Sequence, residues 1–144
     1  MKYTIYDSST GEIQMTFSSH DAELTQQNLQ GRAWIPGNYS SVDCYVENGE
    51  VRAKPPQPDA PGQVFDFDYS TRTWQINTSR SEQSSRQLRN LELQLIDKIN
   101  PVWYNSLTNE QQQELAQYRQ ALLDVPQQSG FPITVNWPAK PTWL

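Results

Sequence analysis

Tyr118-Arg119-Gln120-Ala121-Leu122-Leu123-Asp124-Val125-Pro126-Gln127-Gln128-Ser129-Gly130-Phe131-Pro132 holds the transition on which the fold turns. Up to Val125 the residues form helix readily, and Tyr118, Leu122 and Val125 recur at spacings of four and three, which places them on one helical face. Pro126 stops that helix, because proline has no amide hydrogen to donate and its ring disfavours the α region for the residue before it. No helix is expected beyond it. Pro126, Pro132, Pro138 and Pro141 alternate with Phe131, Ile133, Val135, Trp137 and Trp143. That pattern predicts an extended apolar strip with few backbone donors and much aromatic surface, which needs something to lie against.

Working back toward the N-terminus, Thr108 followed three residues later by Gln111 predicts a capping box that opens this helix. Leu115 then joins Tyr118, Leu122 and Val125 on its apolar face. An earlier helix is predicted from Arg86, where Leu88, Leu91, Leu95 and Ile99 recur at spacings of three and four over about 20 Å, ending at Asn100-Pro101. Val102-Trp103-Tyr104 and Leu107 are expected in the connection, so the two helices close as a hairpin with Trp103 at the joint. Gln83, Gln87, Gln94, Gln112, Gln113, Gln117 and Gln120 supply uncharged, helix-forming outer faces.

The first 54 residues read differently. Tyr3 and Ile5 alternate with polar neighbours, Asp7-Ser8-Ser9-Thr10-Gly11 reads as a turn, and Ile13, Met15 and Phe17 resume a period of two, so a β-hairpin is expected. Ser18-Ser19 cap a short predicted helix through Asp21, Leu24 and Leu29, closed by Gly31 in the left-handed conformation. Trp34-Ile35 form a short strand. Cys44–Glu47 and Glu50–Ala53 flank Asn48-Gly49, a strong type I′ hairpin signal because both central residues need positive φ. Pro55-Pro56-Gln57-Pro58-Asp59-Ala60-Pro61-Gly62 has the composition of a stiff connector. After it, Phe65, Phe67 and Tyr69, a turn at Ser70-Thr71-Arg72, then Trp74 and Ile76 predict another hairpin, too small to stand alone. The expected class is therefore α+β: an N-terminal α+β domain over 1–54, a Pro-rich linker over 55–62, a β-hairpin over 63–78, and a helical hairpin with an extended C-terminal segment over 79–144.

Composition narrows the function. The 144 residues carry a net charge of −5, with only 35% apolar and 19% charged residues, so polarity comes mainly from neutral side chains. No run of lysine and arginine forms the basic stripe that phosphate neutralisation needs, which speaks against a nucleic-acid partner. No stretch approaches the ~18 apolar residues of a membrane span and the N-terminus lacks the apolar core of a signal peptide, so a cytoplasmic protein is expected. With one cysteine and one histidine, no intrachain disulfide or Cys/His zinc site is expected, and no cofactor. Cys44 reads as a buried thiol acting as a small hydrophobe, and His20 as a solvated first-turn residue.

The acidic pairs have bland explanations. Asp66 and Asp68 share a strand face, yet they complement the aromatic face of Phe65, Phe67 and Tyr69. Glu110 and Glu114 share a helical face, where acids near a helix start suit the macrodipole. No nucleophile with a base, no phosphate cradle and no metal triad is assembled, so a non-enzymatic binding protein is expected.

The C-terminal third closely resembles the signature of the phage tail assembly chaperone family. In that family a Tyr-Arg-Gln-Ala-Leu-Arg helix runs into a Pro-Gln-Gln-Pro-Gly-Phe-Pro turn and ends in Val-Xaa-Trp-Pro. This chain has Tyr118 to Leu122, Pro126-Gln127-Gln128, Gly130-Phe131-Pro132 and Val135-Asn136-Trp137-Pro138, departing at Leu123, Ser129 and Asn136. The resemblance is specific from about Ser79 to Trp137. Further upstream, Trp34-Ile35-Pro36-Gly37 and the Tyr45-Val46 to Lys54-Pro55 pattern look like a small β-domain of tail-fibre-associated proteins. The resemblance implies a bacteriophage tail fibre assembly chaperone, active in the host cytoplasm. Its partner would be a tail fibre or baseplate protein, in the first case a trimer whose exposed edges it covers while it helps folding, trimerisation or attachment. A structural virion component retained at the fibre or baseplate, contributing to receptor binding, is the alternative; a glycan-acting enzyme would need an acid pair in a cleft. The expected contact residues are Trp103, Tyr104, Tyr118, Arg119, Phe131, Trp137 and Trp143, since aromatic residues and arginine anchor interfaces. For Phe131 and Trp137, a lid folded back onto the helices is an equal reading, and Trp143 is the residue least expected to join a private core. Arg119 serves either to brace the domain or to hold a partner's carboxylate.

Overall fold

The alternation at Tyr3 and Ile5 produces a central strand, β1 (Lys2–Asp7), flanked antiparallel by β2 (Ile13–Ser18) and β3 (Arg32–Pro36) in the order β2-β1-β3. The computed structural model describes residues 1–18, 20 and 30–144. The short helix expected from Ser18-Ser19 through Leu29 lies outside them. Because β1 is central, both of its faces are covered: Tyr3 and Ile5 on one, Thr4 on the other. Thr4 donates its hydroxyl to the Gly37 carbonyl and accepts from the Tyr39 amide, so its burial leaves no polar atom unsatisfied. Tyr3 pairs across the sheet with Phe17, and edge-on with Trp34 at 5.2 Å. The turn after β1 is built by Asp7, whose carboxyl accepts from the Ser9 hydroxyl and the Ser9 and Thr10 amides; these bonds hold it below its ordinary range.

β4 (Cys44–Glu47) and β5 (Glu50–Ala53) form the hairpin predicted from Asn48-Gly49, with φ of 51° and 76° at those residues. Gly11 is required at its site: a Cβ there would sit 2.0 Å from the Val46 carbonyl oxygen, and the glycine's own carbonyl accepts the Val46 amide. Cys44 is a free thiol, half-buried at the strand start rather than buried as expected.

β6 (Phe65–Asp68) and β7 (Thr73–Ile76) pair as a two-stranded sheet. The chain divides into two compact units: Met1–Gln57 with Phe67–Gln75, and Pro58–Asp66 with Ile76–Leu144. In the first unit, Phe67 packs on Tyr45, Tyr69 and Trp74. The Lys54 ammonium lies 4.8, 5.2 and 5.6 Å from the Phe67, Tyr69 and Trp74 ring centroids, and donates to the Ser41 carbonyl at 2.7 Å. An aromatic enclosure of this kind attracts a cation through the negative faces of the rings.

The second unit is built on α1 (Thr78–Asp97), α2 (Pro101–Ser106) and α3 (Asn109–Asp124). α1 starts well before Arg86, capped by the Asn77 side chain, which accepts from the Arg80 amide. This early start changes which face is buried. Ser81 and Ser85 are fully buried: the Ser81 hydroxyl exchanges hydrogen bonds with Val64, and that of Ser85 donates to the Gly62 carbonyl. Those two serines, with Ile96, define the inner face. The predicted leucine stripe is therefore only partly inward: Leu88 and Ile99 are half-buried, whereas Leu91 and Leu95 are exposed. Leu95 lies about 100° around the helix from Ile96, which follows from 3.6 residues per turn.

The connection is also helical, contrary to expectation. Pro101 begins α2 instead of only ending α1, because the Asn100 side chain caps the Val102 amide and proline suits the first helical position. Thr108 and Gln111 form the predicted capping box of α3. Leu115, Tyr118, Leu122 and Val125 are all buried, and Ile96, Leu115, Tyr118 and Leu122 make the core cluster between α1 and α3. Pro126 ends the α-helix as expected, but the chain completes a single 3-10 turn over Val125–Gln127 before leaving it.

Candidate functional site

Beyond the 3-10 turn the C-terminal segment does not run free; it returns along the helices as a strap. The Gln128 side chain clamps it by donating to the Asn136 carbonyl and accepting from the Asn136 amide, both at 2.8 Å. The Thr134 amide donates to the Gly130 carbonyl, which closes the turn around the cis Phe131-Pro132 bond. Phe131 is half-buried beneath the Arg86 guanidinium, 5.5 Å from its ring centroid. Trp137 is half-buried and donates its indole N–H to the Pro61 carbonyl. Gly62 is needed beside it, since a Cβ there would meet Ser85 Oγ at 2.6 Å and Trp137 Cζ2 at 3.1 Å. Phe131 and Trp137 thus fold back against the start of α1 and the segment before it.

Trp143, the residue least expected to join a private core, packs back onto the helices. Its ring lies 6.4 Å from that of Trp103, its indole donates to Glu114 Oε2 at 2.6 Å, and it packs with Leu144 against the core cluster. An indole offers a large apolar face and a single donor, so a carboxylate within reach gives it a reason to fold back.

Tyr118 belongs to the core, and its hydroxyl donates to Glu92 Oε2 at 3.4 Å. Burial, then the Glu92 charge and this hydrogen bond, push its phenol above the ordinary range. Arg119 Nε donates to Asp97 Oδ1 at 2.9 Å, an exposed bond between α3 and α1, so the guanidinium braces the hairpin. This bond, with the Asp97 charge, pushes the guanidinium further up. Exposed pairs of this kind contribute little stability but fix geometry.

At the α2 end of the hairpin the surface is apolar and open. Val102 is 80% exposed, Trp103 40% and Tyr104 36%, and on α1 Leu91 and Leu95 are 59% and 61% exposed. A groove of about 340 Å³ on this end is lined by Ile96, Ile99, Pro101, Tyr104, Leu115 and Arg119, among others. The seven residues predicted for contact therefore separate. Trp103, Tyr104, Tyr118, Arg119 and Trp143 gather where α2 joins the longer helices; Phe131 and Trp137 sit by Arg86 and Ser85, toward the start of α1, with Ser85 about 18 Å along the axis from Asp97 at 1.5 Å per residue.

Some contributors carried no sequence signal. Glu114 reads as a helix-start acid until the returning indole gives it a partner, and Gln128 is one glutamine among many. The acidic pair on β6 serves structure: Asp66 accepts from Arg80 and Asn77, and Asp68 closes a turn through Ser70 and Thr71. Among the described residues no group of three or more His, Cys, Asp and Glu side chains is placed to hold a metal ion, and no helix is long and apolar enough to cross a membrane.

Residues 82–142 match the model of the family described as phage tail assembly chaperone protein. No curated protein and no solved structure matches the chain. The matched segment takes in most of α1, all of α2 and α3, and the strap through Thr142, so it is the helical hairpin and strap of this chain that are similar to the phage tail assembly chaperone family.

Proposed function

We propose that the protein acts in phage tail assembly as a non-enzymatic chaperone that binds a tail fibre protein in the host cytoplasm and covers it until it trimerises or attaches. Unassembled β-rich fibre chains carry unpaired edges and apolar faces that aggregate unless occupied. The observation that supports this reading most is the open apolar surface around α2, where Val102, Trp103 and Tyr104 are exposed and Trp103 lines one pocket with the exposed Leu95. Exposed aromatic and aliphatic side chains grouped with one another mark interaction surfaces. Phe131 and Trp137 serve the fold in this reading, and Trp103 and Tyr104 make first contact.

The test is co-expression of the protein with the phage's tail fibre chain, followed by affinity capture. Wild type retains the fibre, and Trp103→Ala with Tyr104→Ala loses it while the helices remain by circular dichroism. Equal capture by both proteins would remove this surface from the function. Mass spectrometry of purified particles separates a transient chaperone, absent from them, from the alternative of a retained virion component in fixed ratio to the fibre.

A further inference from the structure

The hairpin carries a second groove, over which the chain's own last residues lie. A cavity of about 210 Å³ remains there, lined by Glu92, Ile96, Trp103, Tyr118, Lys140 and Leu144, among others. The pocket opens to solvent, so the last residues cover their bed only in part. Trp143 and Leu144 are only half-buried, and the latch from the Trp143 indole to Glu114 lies at the surface. The bed has the chemistry of a peptide site: an apolar floor, with the Glu92 carboxylate on its lining and Glu114 gripping the strap's N–H donor.

We propose that this groove docks an extended segment of a tail-protein partner that carries a cationic side chain followed closely by an aromatic and an aliphatic one. Lys140–Leu144 is the resident stand-in that this segment displaces. Charge selects the occupant: an acidic segment would meet Glu92 and Glu114, whereas an indole N–H meets the Glu114 acceptor and a lysine or arginine would share the pocket with the Glu92 carboxylate. The proposal rests on the docking function above and names what one part of the site takes.

The probe is the synthetic heptapeptide Pro-Ala-Lys-Pro-Thr-Trp-Leu, which reproduces residues 138–144, titrated into the full-length protein. Trp143→Ala, whose strap is released, should bind it about ten-fold tighter than wild type, the equivalent of one charge-assisted hydrogen bond. The same peptide with the Lys140→Glu change should bind about ten-fold more weakly. Should Trp143→Ala lose its helices, Glu114→Val opens the latch while keeping an apolar wall, and with acceptance at that position gone the peptide should still bind through the Glu92 side. Equal affinity in wild type and Trp143→Ala overturns the proposal, as does an absence of peptide binding in Glu114→Val. Peptide binding without fibre capture keeps the groove and removes the fibre as its partner; capture without peptide binding does the reverse.

Discussion

The Trp137 indole donates its Nε1 hydrogen to the carbonyl of Pro61 at 3.0 Å, across 76 positions of sequence. Proline segments expose carbonyls that have no strand or helix partner, and an indole has one donor to place. The bond joins the strap to the segment before α1 beside Gly62 and Ser85. It makes the proline-rich stretch part of the second unit's packing at Pro61, and it gives Trp137 a partner within the chain.

Trp137→Ala should therefore destabilise the isolated protein by about 2–3 kcal/mol, somewhat below the range for fully buried tryptophans. Trp137→Phe, which keeps most of the ring and loses the donor, should cost about 1 kcal/mol. Chemical denaturation followed by circular dichroism measures both. An unchanged midpoint for the alanine variant would return Trp137 to the list of contact residues.

Two leucines of the hairpin should behave oppositely. Leu122 is 1% exposed in the core, so Leu122→Ala should lose about 2–5 kcal/mol. Leu95 is exposed on α1, and Leu95→Ala should change stability by less than about 0.5 kcal/mol. The second variant should nevertheless weaken fibre capture. If Leu95→Ala proves as destabilising as Leu122→Ala, the inner face of α1 has been misassigned.

Lys54 lies among three aromatic rings in the first unit. Lys54→Met keeps the apolar stem and removes the charge, and should cost about 1–2 kcal/mol. Adding salt should leave part of this difference in place, because the half-buried rings hold the ammonium at close range. Thermal unfolding of both proteins at low and high ionic strength decides it; a difference that vanishes in salt would identify an ordinary surface charge effect.

The Tyr118 phenol, buried and beside Glu92, is held above its ordinary value of 10.0. Folding therefore favours the neutral phenol, and the stability linked to it is complete below pH 10 and is lost as pH rises through the higher folded value. Denaturation midpoints should fall across that alkaline window. In Tyr118→Phe this component of the fall should be absent, and in Glu92→Gln the phenol should ionise closer to its ordinary value. Phenolate absorbance against pH provides the readout, and a Tyr118 titration no higher than that of the other tyrosines would contradict the geometry.

Much of the local structure was legible in the chain. Asn48-Gly49 demanded a tight hairpin because few residues tolerate positive φ, Thr108 with Gln111 demanded a helix start because they satisfy each other's orphan donors, and Val125-Pro126 demanded an α-helix end because a donor is missing. These requirements act over a few residues, so composition and spacing suffice to state them. The same holds for the inner face of α3, whose Leu115, Tyr118, Leu122 and Val125 were recognisable by period alone, and for the family signature carried by 118–138. What the tertiary structure decided was which surfaces are shared. The buried face of α1 was settled by two serine hydroxyls finding backbone partners at Val64 and Gly62, so Leu91 and Leu95 were left exposed. The strap's aromatics looked equally suited to an interface or a lid until the carbonyl of Pro61 and the carboxylate of Glu114 stood within reach of their indoles. A hydrogen bond between residues far apart in sequence depends on where folding brings each group, and that distance is a property of the packed chain.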